Sequence, residues 1–318
     1  MVKKLFVIFM ALMFCAALTP AQALECHQGS ATGTTSEKVN IGNVKIPRDV
    51  PDGTIVWRSE VQTNTFVCWS TTTKYEEYVY IYTYPRVDTS AVMPPGIKFG
   101  IIYNGIDLGT ESTKTQTDLF FEKKESTKNK KQMTMSYQVY IQKTGPLNNE
   151  IVFNTDEVAV FQLDGANDIN NKEGKNYRYT LTGLSNLMAL ACSASIPEVT
   201  EVDFGELKPW DSVGQELVRR DFSIPVSRNC DAPFALDAIF TPTGNLQGSN
   251  GADLGNGAVL KLYDSGFNEF IDFNKKRDFA DLTVDRNVTR KFQAVLFSNG
   301  QATPGAFETD IIFIVNYK

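Results

Sequence analysis

Apolar and polar residues alternate through much of this chain, and the alternation is most regular near its carboxyl end. One face of this last segment carries Phe307, Thr309, Ile311, Phe313, Val315 and Tyr317, and the other carries Glu308, Asp310, Ile312, Ile314, Asn316 and Lys318. A period of two predicts a β-strand with one face against a core.

Similar short runs, rich in Val, Ile, Thr, Tyr and Phe, fill the rest of the chain and are separated by clusters of Gly, Pro, Asn and Asp. Helical periodicity is hard to find, so the pattern predicts an all-β fold. In the second half the predicted strands are 193–204, 221–226, 234–241, 259–264, 289–297 and the terminal strand. These are six strands, whereas an immunoglobulin-type sandwich has about seven.

The amino-terminal segment has the pattern of a secretory signal peptide. Lys3 and Lys4 precede the apolar run 5–18, and Ala21-Gln22-Ala23 supplies a small-x-small cleavage site. The run is shorter than the about 20 residues of a membrane-spanning helix. We therefore expect residues 1–23 to be removed and the exported chain to begin at Leu24.

The chain has five cysteines, and removal of the signal peptide takes away Cys15. The cysteines at 26, 68, 192 and 230 permit three pairings. Their distance along the sequence favours Cys26–Cys68 and Cys192–Cys230, because each closes a short loop worth roughly 3–4 kcal/mol.

The length of 318 residues predicts more than one domain. We place a first β-sandwich at 24–182, a linker at 183–190 and a second domain at 191–318. The formal net charge of −6 argues against a nucleic-acid partner.

The second domain carries a group of residues with a characteristic order. They are Cys192 and Cys230, Asp203-Phe204-Gly205 between them, Phe222-Ser223-Ile224-Pro225-Val226, Phe292-Gln293-Ala294, Pro304-Gly305-Ala306-Phe307 and Tyr317. With these residues the domain resembles the pilin domain of chaperone–usher fimbriae. The resemblance implies an incomplete immunoglobulin-like fold that lacks its last strand.

In that family a groove takes the place of the missing strand. A periplasmic chaperone fills it first, and the adjacent fimbrial subunit then supplies a donor strand at the outer-membrane usher. The resemblance assigns the groove to Gly305, Phe307, Ile311, Phe313, Val315 and Tyr317. The alternative is an ordinary terminal strand in a complete sandwich.

The expected start of the exported chain indicates which subunit this is. Only Leu24 and Glu25 precede Cys26, which leaves no room for a donor strand. A subunit that accepts a strand without giving one is expected at the fimbrial tip, on the bacterial surface. The two-domain arrangement resembles the tip adhesins of chaperone–usher fimbriae.

The first domain is similar to the lectin domain of the mannose-binding adhesins of type 1 fimbriae. The similarity implies a sugar pocket lined by Leu24, Tyr75, Glu77, Gln162, Asp164, Asn167, Asp168 and Asn170. Carboxylates and amides can grip adjacent sugar hydroxyls, and an aromatic ring can cover the apolar face of the sugar. Leu24 replaces an aromatic residue of that family, so the sugar is left open. The alternative is an ordinary Asn- and Asp-rich surface loop.

A run of lysines lies between two predicted strands, at 123, 124, 128, 130 and 131, with Glu125 among them. It is either a solvated hairpin tip or a patch that attracts sulfated or sialylated glycans.

Catalysis is not expected. His27 is the one histidine, and no Ser–His–Asp or Cys–His set can be assembled around it. We expect no cofactor and no metal. The predicted function is attachment to host-surface receptors through glycans, and the alternatives are a structural tip adaptor or assembly initiator and an adhesin for a host protein.

Overall fold

The computed structural model describes residues 24–74, 76–84, 93–148, 150–166, 169–197 and 200–318. The predicted signal peptide, 1–23, lies outside the described residues. The all-β prediction is confirmed, because strands dominate and the helical structure of the described part is one 3-10 turn, Leu184–Asn186. Within these ranges no helix is long and apolar enough to cross a membrane.

Strands β1 to β12 form the first unit. Their bounds are β1 Leu24–Gln28, β2 Ser36–Asn40, β3 Val44–Pro47, β4 Ile55–Arg58, β5 Gln62–Ser70, β6 Glu77–Thr83, β7 Ile97–Tyr103, β8 Ile106–Asp107, β9 Lys114–Phe121, β10 Lys131–Lys143, β11 Glu157–Asp164 and β12 Arg178–Thr182. One sheet has the order β1-β5-β10-β7-β8, with β4 also on β10, and the other has the order β2-β12-β11-β6-β9. Side chains from both sheets, such as Phe66, Phe99 and Phe161, share one hydrophobic core.

Strand β13, Leu187–Leu190, follows, and strands β14 to β23 form the second unit. Their bounds are β14 Ala194–Ser195, β15 Glu216–Arg228, β16 Ala235–Pro242, β17 Leu246–Gln247, β18 Gly251–Asp253, β19 Ala258–Asp264, β20 Glu269–Phe270, β21 Arg277–Asp281, β22 Asn287–Ser298 and β23 Ile311–Tyr317. One sheet has the order β14-β15-β22-β19-β18-β17, with β20 on β19, and the other has the order β21-β16-β23. Phe234, Phe240 and Phe292 lie in a second, separate core.

Both predicted disulfides are confirmed. Cys26 is bonded to Cys68 in the first unit, and Cys192 to Cys230 in the second. The first bond joins paired positions of β1 and β5. Each bond therefore constrains its own unit.

The predicted strand 193–204 is wrong in its extent, and the predicted count of six strands is too low, because β17, β18, β20 and β21 are also present. Pairing stops after β14 at Ser195, and no strand is present in the described part of 196–215. Val202, Phe204 and Leu207 are half-buried against the second core, so the segment keeps an inward face. It lacks a neighbouring strand to pair with, and without one the alternation alone does not make a ladder.

The two units are in direct contact. Strand β13, in the segment predicted as the linker, pairs in parallel with β3 of the first unit. Glu60 accepts hydrogen bonds from the Lys276 N–H at 2.9 Å and from Lys275 Nζ at 3.2 Å. The side chain of Asn316 in β23 bonds the backbone of Arg58 twice, at 2.8 Å each.

Candidate functional site

Strand β10 connects the two ends of the first unit. Its first residue, Lys131, pairs with Cys68, whereas Tyr140 and Ile141 pair with β4, which contacts the second unit. At a rise of about 3.3 Å per residue, these two ends are roughly 30 Å apart. We call the Lys131 end the distal end. It holds the start of β1 and the described parts of the loops 71–76, 122–130 and 165–177, because Leu24 pairs with Ser70 there.

Glu77 is a buried carboxylate at the distal end. Its side chain is on the core side of β6 and is 4% exposed. Oε2 accepts a hydrogen bond from the Ala166 N–H at 3.2 Å, whereas Oε1 has no partner among the described residues. Burial raises the pKa of Glu77, the Ala166 hydrogen bond opposes this, and the nearby Asp164 adds to it. Within the described ranges, Oε1 is thus an unpaired acceptor that is itself enclosed.

Gly165 brings the loop after β11 against Glu77 and Leu24. A Cβ at this position would lie 2.3 Å from Glu77 Oε2 and 3.3 Å from Leu24 Cβ, so a larger residue would displace the Glu77 carboxylate. Leu24 is fully buried in the first core. Of the predicted site residues, Leu24 and Glu77 are therefore brought together, and both side chains are enclosed.

Gln162 and Asp164 lie on the outer face of β11. They pair with Tyr82 and Tyr80, which alternate with the core residues of β6. Both are nevertheless buried, as is Asn170, because the loop after β11 folds back over them. The Tyr82 hydroxyl fixes this loop by donating to Gly165 O at 2.6 Å.

These polar groups bond one another. Asp164 accepts from the N–H of Asn170 at 2.5 Å, from the N–H of Gly165 at 2.8 Å and from Gln162 Nε2 at 2.9 Å. Gln162 also donates to Asn170 O and accepts from Arg178 Nε. Burial raises the pKa of Asp164, although these hydrogen bonds oppose it. These hydrogen bonds therefore hold the loop in place and leave few polar groups available to a ligand.

Tyr75, Asn167 and Asp168 lie outside the described residues, so their place in the site stays a prediction. Sequence reasoning missed Asn176, which is 5% exposed and whose Oδ1 accepts from the Cys26 N–H at 2.9 Å. Its side chain also lies near the Asp164 carboxylate and helps to oppose the rise in the pKa of that group. No sequence signal distinguishes Asn176 from other asparagines of the loop, since its role depends on contact with β1.

A second candidate site lies along β23. This strand pairs with β16 on one side, and no described residue pairs with its other side. Ile311, Phe313 and Val315 are half-buried and face the second core. The Phe313 ring centroid lies 5.0 Å from that of Phe240 and 4.8 Å from that of Phe279. An open backbone edge therefore runs beside incompletely covered apolar side chains.

The other predicted groove residues extend this line. Phe307 is half-buried against the same core, and Gly305 is exposed with a φ of 149°. Tyr317 is 9% exposed, and its hydroxyl accepts from the Ala194 N–H at 3.0 Å. The segment 200–213, which carries Val202 and Phe204, forms no backbone–backbone hydrogen bond with the described residues. In the described part of this unit, β23 therefore has an unpaired outer edge, and the segment 200–213 has no strand partner.

No protein-family model matches the chain. Among solved structures, it is similar to the CupB6 tip adhesin from Pseudomonas aeruginosa, with 15% identity, a TM-score of 0.32, and coverage of 92% of this chain and 94% of that one. It is similar to the CsuC–CsuE chaperone–tip adhesion subunit complex from Acinetobacter baumannii, with 10% identity, a TM-score of 0.25, and coverage of 89% and 99%. The P pilus rod subunit PapA has 21% identity and a TM-score of 0.30 over 39% of this chain and 99% of that one.

The chain is similar to chaperone–usher pilus subunits and tip adhesins.

Proposed function

We propose that this chain is a fimbrial tip adhesin, exported through the periplasm to the bacterial surface. In this proposal residues 24–182 form the receptor-binding domain, 183–190 the linker and 191–318 a pilin domain completed by a partner's strand. The receptor-binding end is the distal end of the first unit. Many copies on many fimbriae would raise the avidity of weak individual contacts.

The open edge of β23 is the observation that carries the proposal. An unpaired strand beside exposed apolar side chains invites aggregation unless another strand covers it. Addition of a strand satisfies the free backbone groups and fills the slot between Phe313 and its neighbours. We assign this role first to a periplasmic chaperone and then to the adjacent subunit, with the usher as the site of exchange.

The first unit is suited to recognition rather than to strand donation. Its first described strand, β1, is hydrogen-bonded along its length to β5, so these residues are not free to complete another subunit. At the distal end one oxygen of the buried Glu77 is unpaired among the described residues, and the polar loop lies beside it. We propose a glycan as the ligand, gripped by Glu77 together with Tyr75, Asn167 and Asp168.

One observation favours a second candidate. Gln162, Asp164 and Asn170 are buried and bonded to one another, so they offer few free groups to a sugar. A tip adaptor without a host ligand, or an adhesin for a host protein, requires no such groups. A lectin would bind free glycans at the distal end, whereas these candidates would not.

Glycan-array binding by the full chain, purified with its chaperone, separates the candidates. We expect a discrete set of glycans to be retained, and Glu77→Gln to weaken binding by about tenfold, because a charged hydrogen bond is lost. Glu173→Gln, at an exposed position of the same loop region, should bind like wild type. An empty array with adherent fimbriated cells would instead indicate a protein receptor, and an empty array without adherence would indicate an adaptor.

A further inference from the structure

The hairpin between β9 and β10 places a group of lysines at the distal end. Lys123, Lys124, Lys128 and Lys130 are all exposed, and Lys74 is exposed in the adjoining loop. The two loops are joined where the Lys124 N–H donates to Thr73 O at 3.0 Å. The lysines therefore lie beside the loop that leads into β6 at Glu77, and none of them belongs to the glycan site proposed for Glu77.

Three acidic side chains lie in the same two loops as the five lysines, and two of them, Glu76 and Glu122, are exposed. Glu125 is half-buried, forms an ion pair with Lys131 at 3.0 Å and accepts from the Glu122 N–H at 2.9 Å. The five exposed lysines form no ion pair with any described residue, whereas other lysines of the first unit do, such as Lys38 with Glu157 at 2.6 Å. In a chain with a net charge of −6, this is a local excess of positive charge.

Trp69 restrains one of these ammonium groups without neutralising it. Lys130 Nζ lies 5.1 Å from the indole centroid, within the range of a cation–π contact. On the neighbouring strand, the ring of His27 meets the indole edge-on at 4.8 Å. The nearby Glu25 carboxylate is taken by Lys175 at 2.8 Å. Lys130 is therefore held in place with its charge free for a ligand.

We infer that the distal end binds an anionic glycan, one whose sulfate or carboxylate groups pair with Lys123, Lys124, Lys128 and Lys130. This inference rests on the proposed adhesin function and names the class of its ligand. A chain of sugars with repeated negative groups can meet several ammonium groups along one loop, which a single small anion cannot. The local field also steers such a ligand toward the distal end.

The test uses the full chain in its chaperone complex and two probes, a heparin hexasaccharide and its chemically desulfated form. The variants are Lys123→Gln/Lys124→Gln and Lys128→Gln/Lys130→Gln. The matched control is Lys208→Gln/Lys291→Gln, which removes two exposed charges from the second unit. Affinity is measured by titration calorimetry at about 0.1 M and about 1 M salt, between which the Debye length falls from about 10 Å to about 3 Å.

We expect the sulfated probe to bind, the desulfated probe to bind much more weakly, and high salt to weaken binding. Each distal double variant should lose about fivefold or more in affinity, while the control double keeps wild-type affinity. Equal binding of both probes, no binding of the sulfated probe, or an equal loss in distal and control variants would each overturn the inference.

The binding experiments distinguish failure of the anionic-glycan inference from failure of the adhesin proposal. If neutral glycans are retained on the array and Glu77→Gln weakens this binding by about tenfold, the adhesin proposal stands. Unchanged binding by the lysine variants would then overturn the anionic-ligand inference alone. If neither neutral nor anionic glycans are retained, both the glycan receptor and this inference are wrong, and strand acceptance by β23 is untouched.

Discussion

The two units of this chain are both β-sandwiches with one disulfide, but their edge strands differ in whether the outer backbone groups are hydrogen-bonded. In the first unit the outer side of β1 is covered, because Asn176 Oδ1 accepts from the Cys26 N–H and the Tyr177 N–H donates to Cys26 O at 2.8 Å. In the second unit the outer side of β23 has no such cover in the described part of the chain.

The difference shows what a covered edge requires. A loop that bonds two backbone groups is enough to protect β1, because the inward side chains there, Leu24 and Cys26, are already fully buried. Beside β23 the side chains of Ile311, Phe313 and Val315 remain half-exposed, so an edge cover alone would not bury them. A partner strand supplies both backbone groups and apolar side chains.

Removal of an inward side chain from the open strand should have the largest effect. Phe313→Ala loses ring contacts with Phe240 and Phe279, and we expect a cost of about 3 kcal/mol in the free energy of unfolding of the second unit. Ile312→Ala is the matched control, since Ile312 is 48% exposed on the other face, and should cost less than about 1 kcal/mol. Denaturant unfolding of the chaperone-completed chain measures both, and equal costs would contradict the assigned faces.

The contact between the units offers a smaller test of the same strand. Asn316→Ala leaves the N–H and C=O of Arg58 without their 2.8 Å partners, and we expect a loss of about 2 kcal/mol. Asn316→Asp keeps an acceptor for the Arg58 N–H and should lose less. Thermal unfolding measures the stability, and small-angle scattering reports whether the units separate. Unchanged stability with an unchanged scattering profile would show that Asn316 does not join the units.

The buried carboxylate of the first unit should give the smallest effect. Burial raises the pKa of Glu77 above its unfolded value, so the native state holds its proton more tightly than the unfolded state does. Stability must then fall as pH rises from the unfolded pKa through the folded pKa, and the cost persists at pH 7.

Glu77→Gln removes this cost. We expect its melting temperature at pH 7 to equal or exceed that of wild type by up to about 3 °C, with a weaker pH dependence in the acid range. Part of the pH dependence of stability should remain in this variant, because the pKa of Asp164 is also raised. The exposed Glu173→Gln should follow the wild-type curve. A melting temperature for Glu77→Gln that falls well below wild type at pH 7 would contradict the assignment.

The sequence was sufficient to predict features that depend on local pattern. The period of two predicted β23 and its inward residues, although the alternation begins at Phe307 and the strand only at Ile311. The spacing of the cysteines favoured the two disulfides that form. The extent of the strand at 193–204 was wrong, because alternation reports which face is buried and not whether a partner strand exists.

Features that depend on tertiary contacts were not predictable. Asn316 lies on the outer face of β23, yet it is 2% exposed because the first unit covers it. Asp164 and Gln162 were expected to line an open pocket, and the returning loop encloses them. Both outcomes depend on segments that are far apart in the chain, and neither leaves a signal in local composition.

The most direct test of strand acceptance is to supply a strand. A peptide of alternating apolar residues, fused after Lys318 through a flexible linker, should raise the melting temperature of the full chain by about 10 °C and protect the β23 amides from hydrogen exchange. A control fusion with two prolines in the peptide cannot form the ladder and should do neither. Equal melting temperature and equal protection of β23 in the unfused chain and both fusions would contradict the claim that the second unit lacks a strand.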